Sequence, residues 1–197
     1  MRENIVTPAN FIQPLFIHDE DFNQDIVSMP GCQRHSLDSM LREVGEGMAL
    51  GVKTFVLFPK VADELKTNLG VEAYNPEGIV PRAIRMIKEA YPDAVVVTDV
   101  ALDPYSDQGH DGAVEDGKIL NDVTINQLCK QVICQARAGA DIVAPSDMMV
   151  RFCFHESSRC CTNFLCFRST TCANYWSVFI GWSCQGHSRC LGFRGFY

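Results

Sequence analysis

An acidic loop punctuated by glycines is the part of the sequence best suited to chemistry. The stretch TDVALDPYSDQGHDG, residues 98–112, directly follows the apolar run AVVV. Its candidate ligands are four aspartates and a histidine: Asp99, Asp103, Asp107, His110 and Asp111. Carboxylate oxygens and water are the ligands that Mg²⁺ prefers. From spacing alone, a magnesium site and a solvated loop whose aspartates cap turns both remain open.

Two further candidates follow other apolar runs. Lys60 comes directly after the run TFVLFP. A desolvated lysine in that position could form a Schiff base with a carbonyl substrate, as in an aldolase. The alternative is that Lys60 is simply solvated, as most lysines in such positions are. Ser146 and Asp147 follow DIVAP. They could contact a substrate, or Ser146 could cap the helix expected next.

The last part of the chain contains cysteines and a histidine at a spacing that could bind zinc rather than magnesium. The segment CQGHSRC places Cys184, His187 and Cys190 like zinc ligands, which Cys160 and Cys161 could complete. Seven of the ten cysteines lie after residue 149. Chance spacing in a cysteine-rich segment therefore explains the pattern better than a structural zinc module.

The elements that position these residues alternate between strands and helices. Apolar runs predict strands at residues 11–17, 54–58, 94–100 and 141–146. Apolar residues at helical spacing predict helices at residues 36–51, 80–90 and 123–139. Buried strands that alternate with helices indicate a parallel sheet, either doubly wound or the first four units of a (β/α)₈ barrel.

Composition narrows the classes of partner. The chain has 197 residues and a net charge of −7, with no apolar run long enough to cross a bilayer. Binding to a phosphate backbone requires clustered Lys and Arg. We therefore expect a small-molecule ligand rather than nucleic acid or a membrane, and the segment MRENIVTPAN indicates a mature or internal start without a targeting peptide.

Residues 150–197 differ in composition from residues 1–149. All nine prolines and all six lysines lie before residue 150, and both tryptophans lie after it. The later segment has neither strand nor helix periodicity. We expect it to be a separate, poorly ordered tail rather than a continuation of the fold.

Residues 2–149 resemble the porphobilinogen synthase family, also called δ-aminolevulinic acid dehydratase. The resemblance rests on successive segments in the same order: TPANFIQPLFI, MPGCQR, VLFPKVADELK, EAYNPEGIVPRAIRMIKEAYPD, TDVALDPYSDQGHDG and LNDVTINQLCKQVICQARAGADIVAPSDMM. It implies a (β/α)₈ barrel that condenses two molecules of 5-aminolevulinate into porphobilinogen, with loss of two waters, in haem and chlorophyll synthesis. It also implies a homo-oligomer.

The resemblance assigns roles to individual residues. Zinc-using members carry three cysteines where this chain has Ala101, Asp103 and Asp111, so the similarity is to the magnesium-type branch, and we expect Mg²⁺ rather than zinc. Asp99 matches an aspartate beside the substrate. Ser146 and Asp147 match a pair at the barrel mouth, whereas Lys60 matches no Schiff-base lysine.

The resemblance also identifies what the sequence does not contain. The family uses two Schiff-base lysines on later strands, and the last lysine here is Lys130. The family's N-terminal arm is also missing or shortened. We therefore expect a chain that is inactive alone. The alternative is a non-catalytic fragment that binds full-length subunits.

The family pattern ends immediately before Val150. Because every valine codon begins with GU, as most introns do, we hypothesise that residues 150–197 are translated intron or a shifted frame. The expected location is the plastid in a photosynthetic eukaryote and the cytoplasm otherwise.

Overall fold

The computed structural model describes residues 5–110, 112–147 and 149. Its strands are β1 (Ile12–His18), β2 (Gln24–Asp25), β3 (Gln33–His35), β4 (Thr54–Lys60), β5 (Val95–Val100), β6 (Val114–Glu115), β7 (Lys118–Ile119) and β8 (Ile142–Pro145). Its α-helices are α1 (Leu37–Ala49), α2 (Ile79–Ala90) and α3 (Asn121–Ala138). Short 3₁₀ turns lie in the connections at Pro8–Asn10, Asp63–Leu65, Val71–Tyr74 and Asp103–Tyr105.

Six of the strands form one sheet in the order β2-β3-β1-β4-β5-β8. β1, β4, β5 and β8 run parallel to their neighbours, and β3 also runs parallel to β1. Only β2 is antiparallel within this sheet, and β6 and β7 form a separate hairpin. The predicted order of four strands and three helices is confirmed, with bounds within three residues of those expected.

The three α-helices cover the same face of the sheet. Alternate residues of β1 and β4, such as Leu15 and Phe55, form one core with Val44 of α1 and Ile84 of α2. α3 reaches the same face, because Gln135 contacts Thr98, which is two residues along β5 from the core residue Val96. A parallel sheet with all its helices on one side is part of a barrel wall rather than a doubly wound sheet.

Local signals explain where the helices begin and end. Ser36 caps α1 by accepting a hydrogen bond from the backbone N–H of Ser39. Pro81 lies in the first turn of α2. Backbone N–H groups in the first turn have no hydrogen-bond partner within the helix, so the lack of an N–H in proline costs no hydrogen bond there. Gly139 ends α3 with a φ of 110°, in the left-handed region that favours glycine.

An ion pair joins α2 to the beginnings of two strands. Lys88 Nζ lies 2.8 Å from Asp141 Oδ2, which also accepts a hydrogen bond from the backbone N–H of Val96. Lys88 Nζ additionally donates to the carbonyl of Ala94. The partly buried pair therefore holds β5 and β8 in register at the end opposite their carboxyl termini.

A second apolar cluster lies under the connections at the carboxyl ends of the strands. It comprises Val61, Ala73, Val100, Leu102, Tyr105, Leu128 and Val132. Asn68 ties this region to the β6–β7 hairpin by exchanging two hydrogen bonds with the backbone of Val114. The loop after β5 is thus anchored by buried contacts.

The predicted tail, residues 150–197, lies outside the described residues, so its expected disorder and its zinc spacing stay predictions. Within the part of the chain that the structure describes, no helix is both long enough and apolar enough to cross a bilayer.

Candidate active site

Two aromatic rings form the floor of a cavity at the carboxyl ends of the parallel strands. Phe16 of β1 and Phe58 of β4 are paired in register, and their rings stack with centroids 5.6 Å apart. Arg34 of β3 pairs with Phe16 on its other side. Because strand neighbours in register lie at the same height, Arg34 and the two rings form one row across the sheet.

The cavity has a volume of about 310 Å³, at the lower end of the range for small-molecule sites. Its lining combines aromatic, cationic and acidic side chains: Phe16, Arg34, Phe58, Pro59, Lys60, Val61, Lys66, Asp99, Asp103 and Pro104. The face that carries it is opposite to the face covered by the helices. This cavity is therefore the inner mouth of the barrel segment, where barrel enzymes place their chemistry.

Asp99 lies at the end of β5 and is joined to the end of β8. Ser146 Oγ donates a hydrogen bond to Asp99 Oδ1 at 2.5 Å. Asp99 is half-buried and Ser146 is exposed. A hydroxyl that donates to a carboxylate makes a charge-assisted contact, which orients the carboxylate.

Two glutamines of α3 form hydrogen bonds with the end of β5 from the helix-covered face of the sheet. Gln135 Oε1 accepts a hydrogen bond from Thr98 Oγ1 at 2.8 Å, and Gln135 Nε2 donates to the carbonyl of Asp99 at 3.0 Å. One turn earlier, Gln131 Nε2 donates to the carbonyl of Ala101. Both glutamines are about 1% exposed. These buried amides fix the backbone from which the Asp99 side chain projects.

The loop after β5 begins with a 3₁₀ turn that presents Asp103 to solvent beside the cavity. Tyr105 of the same turn is buried, and burial, reinforced by the negative charge of Asp99, raises the pKa of its hydroxyl far above the usual range. The tyrosine is therefore neutral and anchors the turn. Asp107 and His110 are exposed and do not line the cavity.

The predicted metal ligands are only partly described. Asp103 offers a solvent-facing carboxylate at the cavity, which suits a hydrated hard cation, whereas Asp111 lies outside the described residues. Among the described residues, no three His, Cys, Asp or Glu side chains converge as a ready metal cluster. The donor type present fits magnesium better than zinc, which prefers thiolate and imidazole.

Comparison with known proteins agrees with this geometry. The family model for delta-aminolevulinic acid dehydratase matches residues 1–153. The chain belongs to the delta-aminolevulinic acid dehydratase family. The expected resemblance and the barrel-type fold are thereby confirmed.

Individual relatives of the dehydratase family match most of this chain but only part of their own length. The chain is 57% identical over 150 residues to the chloroplastic delta-aminolevulinic acid dehydratase of Physcomitrium patens, and 56% identical to that of Pisum sativum. These matches cover 75% of this chain but 35% and 38% of the relatives. The chain thus spans little more than a third of the length of these curated relatives.

A solved structure of the family shows the same architecture. It is the crystal structure of delta-aminolevulinic acid dehydratase (porphobilinogen synthase) from Toxoplasma gondii ME49 in complex with the reaction product porphobilinogen. The match has a TM-score of 0.75 and 56% sequence identity, and it covers 77% of this chain and 44% of that one.

The structure brings some of the expected dehydratase residues together. Asp99, Asp103 and Lys60 line one cavity, and Ser146 reaches it through Asp99. Asp147 is half-buried, with its carboxylate oxygens shielded from solvent. Lys60 is exposed and donates to Gln24 Oε1. A Schiff-base role for Lys60 gains no support from this solvated position.

Sequence reasoning missed several residues of the site. Arg34 and Gln24 belong to strands of three and two residues, which are too short to leave a recognisable period. The buried glutamines of α3 could have been predicted from their spacing in the sequence. Gln127, Gln131 and Gln135 recur every four residues on the helix face that also carries Leu128 and Val132, and amides on a buried face must find partners.

Proposed function

We propose that this chain carries the amino-terminal part of a porphobilinogen synthase active site, which in the complete enzyme condenses two molecules of 5-aminolevulinate. The observation that carries the proposal is the Ser146–Asp99 hydrogen bond beside the mouth of the cavity. It joins the carboxyl ends of β5 and β8, and barrel enzymes place their active sites at the carboxyl ends of the strands. Asp99 supports catalysis, and Ser146 and Asp147 contact substrate.

The proposed metal is Mg²⁺, held by Asp103 and Asp111 with water completing its shell. The resemblance to the dehydratase family implies a bound metal, and Mg²⁺ held there would supply charge that polarises a carbonyl or a water. Asp103 supports this assignment because its carboxylate is solvent-facing and next to the cavity. The 3₁₀ turn that carries Asp103 is anchored by the buried Tyr105.

The 197-residue chain is proposed to bind substrate without turning it over. The reaction requires two activated lysines, and the sequence has no lysine after Lys130. Among the described lysines, only Lys60 and Lys66 line the cavity, and Lys66 forms an ion pair with Asp63 at 2.7 Å. Carboxylates and a metal can orient a substrate but cannot form an imine.

The test incubates the purified chain with 5-aminolevulinate and Mg²⁺, with a full-length family enzyme assayed in parallel. We expect substrate binding by calorimetry, no porphobilinogen, and no borohydride-stable adduct by mass spectrometry. Porphobilinogen formation together with a reduced adduct on any of the six lysines would contradict the proposed inactivity. Failure to bind 5-aminolevulinate at all would contradict the proposed site.

A second candidate function is binding to full-length family subunits. Within the described part of the chain, β8 is hydrogen-bonded to β5 alone, and all four of its residues are half-exposed. Such an edge is a template for pairing with another strand. Co-expression with a tagged full-length enzyme should retain this chain on the affinity resin, and its absence from the eluate would remove this candidate.

The proposed location is the plastid if the chain comes from a photosynthetic eukaryote, and the cytoplasm otherwise. The plant relatives that support it are named chloroplastic. Imaging of the tagged full-length gene product in its own cells would test this assignment.

A further inference from the structure

The face of the sheet opposite the helices, here called the inner face, carries a continuous apolar row. Pro14 of β1 pairs with Val56 of β4, Val56 pairs with Val97 of β5, and Val97 pairs with Ile142 of β8. Strand partners in register carry their side chains at the same height on the same face. The row therefore crosses the sheet and reaches its edge strand at Ile142.

The two faces of the sheet differ in exposure. On the helix-covered face, Leu15, Phe55 and Leu57 are at most 1% exposed. On the inner face, Ile12 is 48% exposed, and within the row Val97 alone is buried. Apolar side chains that are aligned in register but left accessible are typical of a surface that another element covers.

Two strand edges are open beside the inner face. Among the described residues, β8 is hydrogen-bonded to β5 alone. β3 pairs with β1 only at Phe16 and Ile17, so residues 12–15 of β1 have a described neighbour only on the β4 side. Unpaired N–H and C=O groups along an edge are a template for another strand.

This arrangement restricts what could cover the inner face. An apolar face between two open edges calls for an occupant that has a strand at each side and an apolar face of its own. A lone helix offers no strand, and a lone peptide strand satisfies one edge. The remaining strands of a barrel satisfy both edges and the face together.

The chemistry of the cavity favours the same occupant over a second copy of this chain. Asp99 and Asp103 line the cavity, and the sequence has no lysine after Lys130. The family resemblance places both Schiff-base lysines on later strands. A second copy would duplicate the carboxylates and add no such lysine, whereas the later strands of a family member would add both.

We propose that the inner face and the edge of β8 dock the carboxyl-terminal part of a family dehydratase when that part is supplied as a separate chain. The docked pair closes the barrel, with the first strand of the partner beside β8 and its last strand beside residues 12–15 of β1. The inference rests on the proposed function only in expecting the closed pair to form porphobilinogen.

The experiment co-expresses the 197-residue chain with a tagged partner, which is the part of the Pisum sativum dehydratase that follows the region matched by this chain. We expect the two chains to elute together in equimolar amounts. An apolar fluorescent dye should bind the isolated chain through its inner face and lose most of that signal in the pair. With 5-aminolevulinate and Mg²⁺, the pair should form porphobilinogen, whereas neither chain should do so alone.

Substitutions on the inner face test where the partner docks. Ile12→Glu and Ile142→Glu place a charge on a surface that docking would bury, so each should weaken the pair by roughly tenfold or more. Leu50→Glu is the matched control, because Leu50 is 75% exposed at the end of α1 and lies outside the inner face. Urea unfolding of each variant alone should match that of the unsubstituted chain, which separates lost docking from lost folding.

Each alternative outcome has a definite meaning. Absence of the pair from cells that make both chains, or equal weakening by Leu50→Glu and Ile142→Glu, would overturn the inference. Retention by a full-length enzyme but not by its carboxyl-terminal part would also overturn it and favour binding to full-length subunits. If the pair forms without making porphobilinogen, the docking stands and the proposed active-site role fails. If the chain binds 5-aminolevulinate but never pairs, the docking fails and the proposed function stands.

Discussion

The hydroxyl of Ser146 donates to the carboxylate of Asp99 at 2.5 Å, which joins the carboxyl ends of β8 and β5 across 47 residues of sequence. Both side chains come from the ends of adjacent parallel strands, where Asp99 pairs with Ala144 two residues before Ser146. The contact limits the rotation of the Asp99 side chain and sets the direction in which it faces the cavity.

Replacement of Ser146 by alanine is expected to weaken binding of 5-aminolevulinate several-fold, because the Asp99 carboxylate loses the donor that orients it. Stability should change by less than about 0.5 kcal/mol, since Ser146 is exposed. Calorimetry and urea unfolding measure the two effects. Ser28→Ala, at an exposed serine of the β2–β3 connection, is the control. Unchanged affinity in Ser146→Ala would contradict the orienting role.

Replacement of Gln135 by leucine is expected to lower the free energy of unfolding by about 2 kcal/mol, because the buried Thr98 hydroxyl and the carbonyl of Asp99 both lose their partner. Asn126→Ala provides a control on the same helix, since its exposed amide bonds only to the carbonyl of Asp122. Urea denaturation of both variants measures the difference. Equal stability of the two would show that the Gln135 contacts contribute little.

Two glycines of α1 are expected to respond oppositely to alanine. A Cβ at Gly47 would lie 2.9 Å from the ring of Phe55, which is fully buried and cannot move, so overpacking should destabilise the fold by about 1–3 kcal/mol. A Cβ at Gly45 would meet the hydroxyl end of the half-buried Tyr91. That side chain can shift, so Gly45→Ala should be neutral, or stabilise by up to about 1 kcal/mol through helix propensity. Thermal unfolding compares them, and a more stable Gly47→Ala would contradict this packing.

Replacement of Asp103 by asparagine is expected to weaken Mg²⁺ binding roughly tenfold or more, because a hard cation loses an anionic ligand. Asp107→Asn lies in the same exposed loop but outside the cavity and should bind Mg²⁺ as before. Calorimetric titration with Mg²⁺ and competition with Mn²⁺ provide the measurement without any assay of turnover. Equal effects of the two substitutions would indicate diffuse attraction to an acidic loop.

Stability is expected to rise with pH around and just below pH 6.5, in part because of His35. Burial lowers the pKa of His35 from 6.5, the nearby His18 acts in the same direction, and Glu43 opposes it. In this window the unfolded chain binds more protons than the folded chain, so acidification favours unfolding until the folded pKa is passed. Urea unfolding between pH 5 and pH 8 should show a weaker dependence in His35→Gln. An identical dependence would assign the effect to other groups.

Much of the fold could be predicted because its signals are local. The residues of β5 are buried or half-buried, so this strand begins as a continuous apolar run, which Thr98 and Asp99 follow before the strand ends at Val100. α2 begins with proline in its first turn and keeps apolar residues at helical spacing, which is a direct consequence of packing one face on a sheet. The positions of Asp99 and Ser146 at strand ends followed from the same reasoning.

The sequence by itself thus determined the order of strands and helices, the acidic loop, the family and the lack of lysines after Lys130. Tertiary structure alone decided that all three helices cover one face, because periodicity marks a buried face without saying which neighbour buries it. It also decided that Arg34 and Lys60 meet at Gln24 and that Ser146 meets Asp99. Such contacts depend on strand register and chain crossing, and residues far apart in sequence carry no local signal of the partner they will face.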